Sequence, residues 1–446
     1  MKHLLLLVLV GSLFSLHANA QQKSVHFVGI ALPEDSGKET EMWSDGALSL
    51  LGNSANQLIK VDETGQFDTT FSLDSPGYYN FGYNLLYFTP GDRLEVRFST
   101  DPLKTQFSGT NVELNNYLRT CAGSHSGSFV GYIGQEKLTD MSYVERKIDS
   151  ISATRRSQLK SLKTATPQFI DIENARITAD IVNTYLCIPL YRGMEEDSEE
   201  TKAFFQSYQS KLCTLIREIS KDEYLDVEVV RSVLSDCARN PLLRDCIQWT
   251  PRMTTLFEAT GLANYLSQKL NEEVLAYVDS FLQVCPEKDI QSALQLKRDQ
   301  LTALMKGRPA IDLSFSTPEG TPATLSAYKG KAIYIDLWAT WCGPCLKESP
   351  AFHRLAEKYL DNKDIVFLSI STDTDKKRWL GFLKGKTQTI PEYNCVDIQG
   401  MNRWGVESIP RFILIDRDFN IFNANAPQPS SGEAIEREIQ ALIGEK

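Results

Sequence analysis

Two cysteines three positions apart, Cys342 and Cys345, are the residues whose type and spacing most plainly suggest chemistry in this chain. They lie in the stretch WATWCGPC, with Gly343 and Pro344 between them. A C-x-x-C pair can exchange thiols with a disulfide, or it can supply half of a metal site. Structural zinc needs four ligands, but the other cysteines form no second close pair, and covalent haem attachment needs a histidine where Leu346 stands. We therefore favour redox exchange and predict neither a metal nor a dissociable cofactor.

A strand and a helix position this pair. The apolar run AIYIDLWA predicts a buried strand, and the amphipathic pattern that follows predicts a helix that starts at the cysteines. Unpaired N–H groups and the macrodipole at a helix N-terminus favour a thiolate, which is the reactive form of cysteine. Residues three apart share a helical face, so the two sulfurs are close enough to form a disulfide. We expect Cys342 to be the attacking nucleophile and Cys345 to be the more buried, resolving thiol.

The longer stretch YIDLWATWCGPC resembles the active-site segment of thioredoxins and of the exported TlpA/ResA-like thiol–disulfide reductases. The resemblance covers residues 307–446 and includes SIPRFILID, which is similar to the cis-proline strand of that family. It implies a thioredoxin fold with a redox-active disulfide between Cys342 and Cys345. The order of a β-rich start, a helical middle and a thioredoxin-like end also resembles Bacteroidetes members of this group.

Further roles follow from the resemblance. Asp336 matches the acid that moves the proton on and off the resolving cysteine in thioredoxins, a role that a desolvated carboxyl with a raised pKa can perform. The Ile409–Pro410 bond matches a cis bond that faces the sulfurs, and the Ile409 backbone would pair with an extended substrate segment. Trp341 is expected to shield the site and contact substrate. Two partners are implied: proteins that carry a disulfide, and an electron-donating thiol–disulfide partner at the membrane.

At 446 residues the chain is too long for one typical domain, and we predict a multidomain protein with three regions. Short alternating or aromatic runs in residues 24–109 predict an antiparallel β-sandwich. Apolar residues at helical spacing in residues 110–306 predict an α-helical region, in which we find no catalytic motif. Strands and helices alternate in residues 307–446, which indicates an α/β domain.

Residues 1–20 have the pattern of a signal peptide. Lys2 precedes an apolar stretch that is too short to span a bilayer comfortably, and Ala18 to Ala20 form a small-residue cleavage site. We predict cleavage after Ala20 and a periplasmic, soluble protein. The net charge of −10, without a basic stripe, argues against nucleic acid as a partner.

Several other polar and sulfur-containing residues are expected to have structural roles. The remaining cysteines, such as Cys213 and Cys285, fall mostly on apolar helical faces and are expected to be buried and unpaired. His353 lies too far from Cys345 along the helix to act as its base, so we expect a surface or packing role. The run STDTD after a predicted strand is expected to be a solvated loop or a helix N-cap.

Two other functions stay open on the sequence alone. The chain could be mainly a partner-binding scaffold with secondary redox activity, because residues 24–306 contain no catalytic motif. It could also be a disulfide isomerase or oxidase whose front half is a dimerisation platform, which would make it a homo-oligomer. The Gly-Pro pair between the sulfurs resembles reducing members of the family, but the direction of electron flow depends on a donor that the sequence does not name.

Overall fold

The computed structural model describes residues 23–52, 56–120, 128–385, 389–395, 397–406 and 408–444. The chain forms two compact units, Met1–Glu258 and Ala259–Lys446. The predicted signal peptide lies outside the described residues. The predicted domain limits, 24–109, 110–306 and 307–446, stay predictions.

The first unit opens with strands. In the described part these are β1 Ser24–Ile30, β2 Glu39–Ser44, β3 Gln57–Lys60, β4 Gln66–Ser72, β5 Gly77–Phe81, β6 Asn84–Phe88, β7 Arg93–Arg97 and β8 Gln106–Gly109. They form two four-stranded sheets, in the orders β4-β1-β7-β8 and β3-β2-β5-β6. Buried side chains from both sheets form one core, in which the Phe27 ring lies 4.9 Å from Phe67 and 5.2 Å from Phe88. The predicted β-rich start is therefore confirmed.

The prediction of a purely antiparallel arrangement was wrong. Strand β1 pairs antiparallel with β4 but parallel with β7. Alternation along a strand fixes which side chains face the core, but it carries no information on the direction of a partner that is distant in sequence. The packing of the two sheets as a sandwich stays a prediction.

Helices follow in the first unit: α1 Val112–Arg119, α2 Val130–Ile133, α3 Met141–Ser161, α4 Pro167–Tyr191, α5 Glu199–Ile219 and α6 Glu228–Arg239, with α7 Pro251–Gln268 across the unit boundary. The predicted helical middle is thus confirmed. Prolines begin α4 and α7, as expected for residues that lack an N–H group. Pro189 lies within the last turn of α4, where its missing N–H removes only one backbone hydrogen bond.

A disulfide joins Cys213 on α5 to Cys246 in the short helical turn Arg244–Cys246. The expectation that Cys213 is unpaired was therefore wrong. A position on an apolar helical face suits a free thiol and a disulfide equally, and only the tertiary approach of the two segments decides between them. Cys187 and Cys237 in this unit are free thiols.

Buried ion pairs connect the strands of the first unit to its helices. The Arg231 guanidinium on α6 donates to the Asp45 carbonyl at 3.0 Å, to the Asp45 carboxylate at 3.2 Å and to the Ser49 hydroxyl at 3.1 Å. Arg176 on α4 lies 4.0 Å from the same carboxylate. The side chains of Asp45 and Arg231 are each 3% exposed. Each partner compensates for the desolvation of the other, so removing one leaves a buried charge.

The second unit contains a seven-stranded sheet of order β10-β9-β13-β12-β11-β14-β15. Its strands are β9 Ser314–Ser316, β10 Pro322–Thr324, β11 Ala332–Trp338, β12 Ile365–Ser371, β13 Glu392–Asn394, β14 Arg411–Ile415 and β15 Ile421–Asn423. Its helices are α8 Glu272–Val284, α9 Lys288–Thr302, α10 Gly343–Glu357, α11 Lys376–Leu383, α12 Ile398–Arg403 and α13 Glu433–Gly444. This confirms the predicted α/β alternation, and β14 and β15 pair antiparallel as a hairpin.

Strand β11 lies inside this sheet, parallel to β12 and antiparallel to β14. All seven of its residues are buried, as the apolar run predicts. Among the helices of the described residues, none combines the length and the apolar composition that crossing a bilayer requires.

We predict that Arg231→Met destabilises the first unit by about 3–5 kcal/mol, because the buried Asp45 carboxylate loses its main partner. Urea unfolding followed by circular dichroism measures this loss. The matched control is Arg239→Met on the same helix, where the ion pair with Asp236 is exposed and contributes at most about 1 kcal/mol. Equal losses for the two variants would contradict a structural role for the buried pair.

Candidate active site

The two cysteines lie where β11 ends and α10 begins. Cys342 is the N-cap residue of α10, and its sulfur accepts a hydrogen bond from the Cys345 N–H at 3.2 Å. Pro344 occupies the first turn, where no N–H is required. The two sulfurs are joined as a disulfide, and the residues are 4% and 1% exposed. The cap position provides a sulfur anion at residue 342 with a hydrogen-bond donor and a favourable dipole.

A backbone segment and an aromatic side chain flank the Cys342 sulfur. The Ile409–Pro410 peptide bond is cis, and the Ile409 carbonyl oxygen lies 3.7 Å from this sulfur. Trp341 is 61% exposed at the rim. Trp338 is instead buried, and its indole N–H donates to the Ser369 hydroxyl at 2.8 Å. The fold thus brings together Cys342, Cys345, Ile409 and Pro410, with Trp341 beside them.

Asp336 lies beneath α10 on the same face of the sheet as the sulfurs. Side chains alternate along a strand, so Tyr334, Asp336 and Trp338 of β11 share one face. The Tyr334 ring is 5.4 Å from Phe352 of α10, and Trp338 packs in the cluster that contains both cysteines. The Asp336 carboxyl is therefore between these two contacts, under the helix.

The environment of Asp336 favours its protonated form. The residue is 3% exposed, and its Oδ1 atom has no hydrogen-bond partner within the described residues. Burial, followed by the negative charges of Glu392 and Glu348, raises the pKa of Asp336 well above its ordinary value. A carboxyl group with a raised pKa holds its proton more tightly and is a stronger base once ionised.

Asp373 anchors the loop that carries Trp341, a role that we did not predict. Its carboxylate accepts hydrogen bonds from the Thr340 N–H at 2.8 Å, the Thr340 hydroxyl at 2.7 Å and the Ser371 hydroxyl at 2.7 Å. Asp375 is the expected N-cap of α11, but Asp373 is 1% exposed, so a solvated loop was the wrong expectation there. Parallel strands end at the same edge of a sheet, and this rule could have placed Asp373 beside the end of β11.

His353 contacts a buried acid that sequence reasoning missed. Its Nε2 atom lies 3.9 Å from the Glu392 carboxylate, whose side chain is 5% exposed. Glu392 belongs to β13, a strand of three residues that is too short for a periodic pattern. Within the described residues, no group of three histidine, cysteine or acidic side chains is arranged to hold a metal ion.

Comparison with known proteins agrees with this geometry. The Redoxin family model matches residues 305–440. ResA, a thiol–disulfide oxidoreductase of Geobacillus thermodenitrificans, is 30% identical over 117 residues, which are 26% of this chain and 67% of that protein. The thioredoxin-like protein YneN of Bacillus subtilis is 31% identical over 115 residues, which are 25% of this chain and 66% of that protein.

Among solved structures, the chain is similar to a putative thiol-disulfide oxidoreductase from Bacteroides vulgatus. The two are 51% identical with a TM-score of 0.31, and the match covers 32% of this chain and 99% of that one. The matches to the curated relatives span about two thirds of the relatives' length and about a quarter of this chain. On its redoxin region, the chain belongs to the thioredoxin-like thiol–disulfide oxidoreductases of the TlpA/ResA type.

Proposed function

We propose that this protein is an exported reductase of protein disulfides. The observation that carries the proposal is the Cys342 sulfur at the N-cap of α10, with the Cys345 N–H donating to it and the second sulfur one turn further on. The proposal includes a signal peptide in residues 1–20 and a periplasmic location. It also includes a β-sandwich at residues 24–109 and a helical region at residues 110–306.

The reaction proceeds in two exchanges. The Cys342 thiolate attacks one sulfur of a substrate disulfide, that S–S bond breaks, and the other substrate sulfur leaves as a thiolate. The Cys345 thiolate then attacks Cys342 in the mixed disulfide and releases the second substrate sulfur. Two electrons have passed to the substrate, and Cys342 and Cys345 are left as a disulfide. An external dithiol, the proposed electron-donating partner at the membrane, reduces this disulfide again.

Each remaining site residue has one proposed role. Asp336 takes the proton from Cys345 as it attacks and returns it when the disulfide is reduced. The backbone of Ile409, before Pro410, pairs with an extended substrate segment beside Cys342. Trp341 contacts that segment at the exposed rim. The Gly-Pro pair supports the reducing direction, and a strongly oxidising midpoint potential for the couple would instead favour the oxidase alternative.

We predict that Cys345→Ser accumulates mixed disulfides through Cys342, because the first exchange proceeds and the second cannot. Purification from cells under acid quench, followed by mass spectrometry, identifies the trapped partners. Cys342→Ser should trap none, and Cys237→Ser, which changes a buried free thiol far from the pair in sequence, should behave as wild type. Equal trapping by the two active-site variants would refute Cys342 as the nucleophile.

We predict that Asp336→Asn stabilises the second unit at neutral and higher pH while it slows the release of mixed disulfides by about tenfold or more. Burial raises the pKa of Asp336 in the folded state above its value in the unfolded chain. The folded state therefore holds the proton more tightly, and the stability present below the unfolded pKa is lost as pH rises through the folded pKa. Thermal unfolding at pH 5 and pH 9 measures the difference in stability between the variant and the wild type, and this difference should be larger at pH 9. A variant that is less stable than the wild type at pH 9 would contradict the assignment.

A further inference from the structure

Three polar side chains form a row across neighbouring strands beneath α10. Asp336 on β11 is in register with Ser369 on β12, and Ser369 is in register with Glu392 on β13. Both pairings are parallel, and register partners point to the same face of a sheet. The three residues are 3%, 3% and 7% exposed. Two carboxyl groups therefore share one buried face, with a single strand between them.

Helix α10 covers this row and adds a histidine at its edge. Phe352 packs its ring 5.4 Å from Tyr334 and 5.7 Å from Phe367, which fixes the helix over β11 and β12. The next residue, His353, has its Nε2 atom 3.9 Å from the Glu392 carboxylate. The histidine side chain is 32% exposed, whereas that of Glu392 is 5% exposed. A solvent-accessible imidazole thus lies against the outer member of the buried pair.

Titratable groups on β11, α10 and α13 also face this region. Glu348 of α10 raises the pKa of Asp336 less strongly than Glu392 does. The Glu348 carboxylate accepts hydrogen bonds from the Ser430 N–H at 3.0 Å and from the Ser430 hydroxyl at 2.7 Å. Tyr334 of β11 and Glu438 of α13 face the same interior. Cys345 lies at the start of α10, above Asp336. Glu392 belongs to the register row, and its carboxylate also lies 3.9 Å from the His353 Nε2 atom.

In a desolvated site, the negative charge of one carboxylate raises the proton affinity of another carboxyl group on the same buried face. We propose that Glu392 and His353 are positioning residues for the redox reaction: negative Glu392 makes Asp336 a stronger base toward Cys345, and the charge at residue 353 adjusts this effect from the solvent edge. This inference rests on the proposed function, in which Asp336 takes the thiol proton when Cys345 attacks and returns it when the disulfide is reduced. No further co-reactant is required.

The test is the pH dependence of the midpoint potential of the Cys342–Cys345 couple in dithiothreitol buffers from pH 5 to 9.5. In a plot of midpoint potential against pH, each titrating group gives a change of slope, called a break here. The break that is absent in Asp336→Asn belongs to Asp336. Glu392→Gln should move this break down by about one pH unit. At position 353, His353→Lys should move it down and His353→Glu should move it up. If the substitutions acted only by disturbing the packing, a positive and a negative side chain would not move the break in opposite directions.

Arg354→Gln, which removes a charge from the adjacent exposed position of α10, is the matched control and should leave the break in place. If Glu392→Gln does not fold, the two substitutions at the partly exposed residue 353 still test the proposal. If the wild-type couple is reversible but the break lies at the same pH in every variant except Asp336→Asn, this inference alone is overturned. A wild-type couple that does not interconvert would refute the proposed function and this inference with it.

Discussion

The unpaired N–H groups at the start of α10 are the constraint on which the site depends. A helix that begins immediately after a buried strand has donors without backbone acceptors, and here the Cys342 sulfur accepts one of them. Desolvation at this end of the sheet would raise the pKa of a thiol, so the donor and the helix dipole are needed to keep the anion accessible. The geometry therefore combines burial of the disulfide with stabilisation of the thiolate.

The support for this helix start comes from neighbouring strands. Strand β11 pairs along its whole length with β12, and the loop that continues from β12 returns Asp373 to bind Thr340. The segment from Thr340 to Cys342 is thus held at both ends, by a carboxylate and by the helix. The exposed Trp341 lies between these two anchors, so its backbone is fixed although its side chain faces solvent.

Buried charge serves two different ends in the two units. In the first unit, Arg231 and Asp45 are oppositely charged and hydrogen-bonded, so their burial links sheet to helix. In the second unit, Asp336 and Glu392 are both acids, and one oxygen of Asp336 has no hydrogen-bond partner within the described part of the chain. Such an arrangement lowers stability, which is typical of groups whose proton affinity is used in chemistry.

The sequence alone determined the elements that carry local information. The apolar run of β11, the helix start at Cys342, the proline starts of α4 and α7 and the hairpin of β14 and β15 all follow from periodicity or from residues with restricted backbones. The tertiary structure alone decided the contacts between distant segments: the parallel pairing of β1 with β7, the Cys213–Cys246 disulfide, the Asp373 anchor and the row that ends at Glu392. Each of these depends on the approach of segments far apart in the chain, and no local pattern encodes that approach.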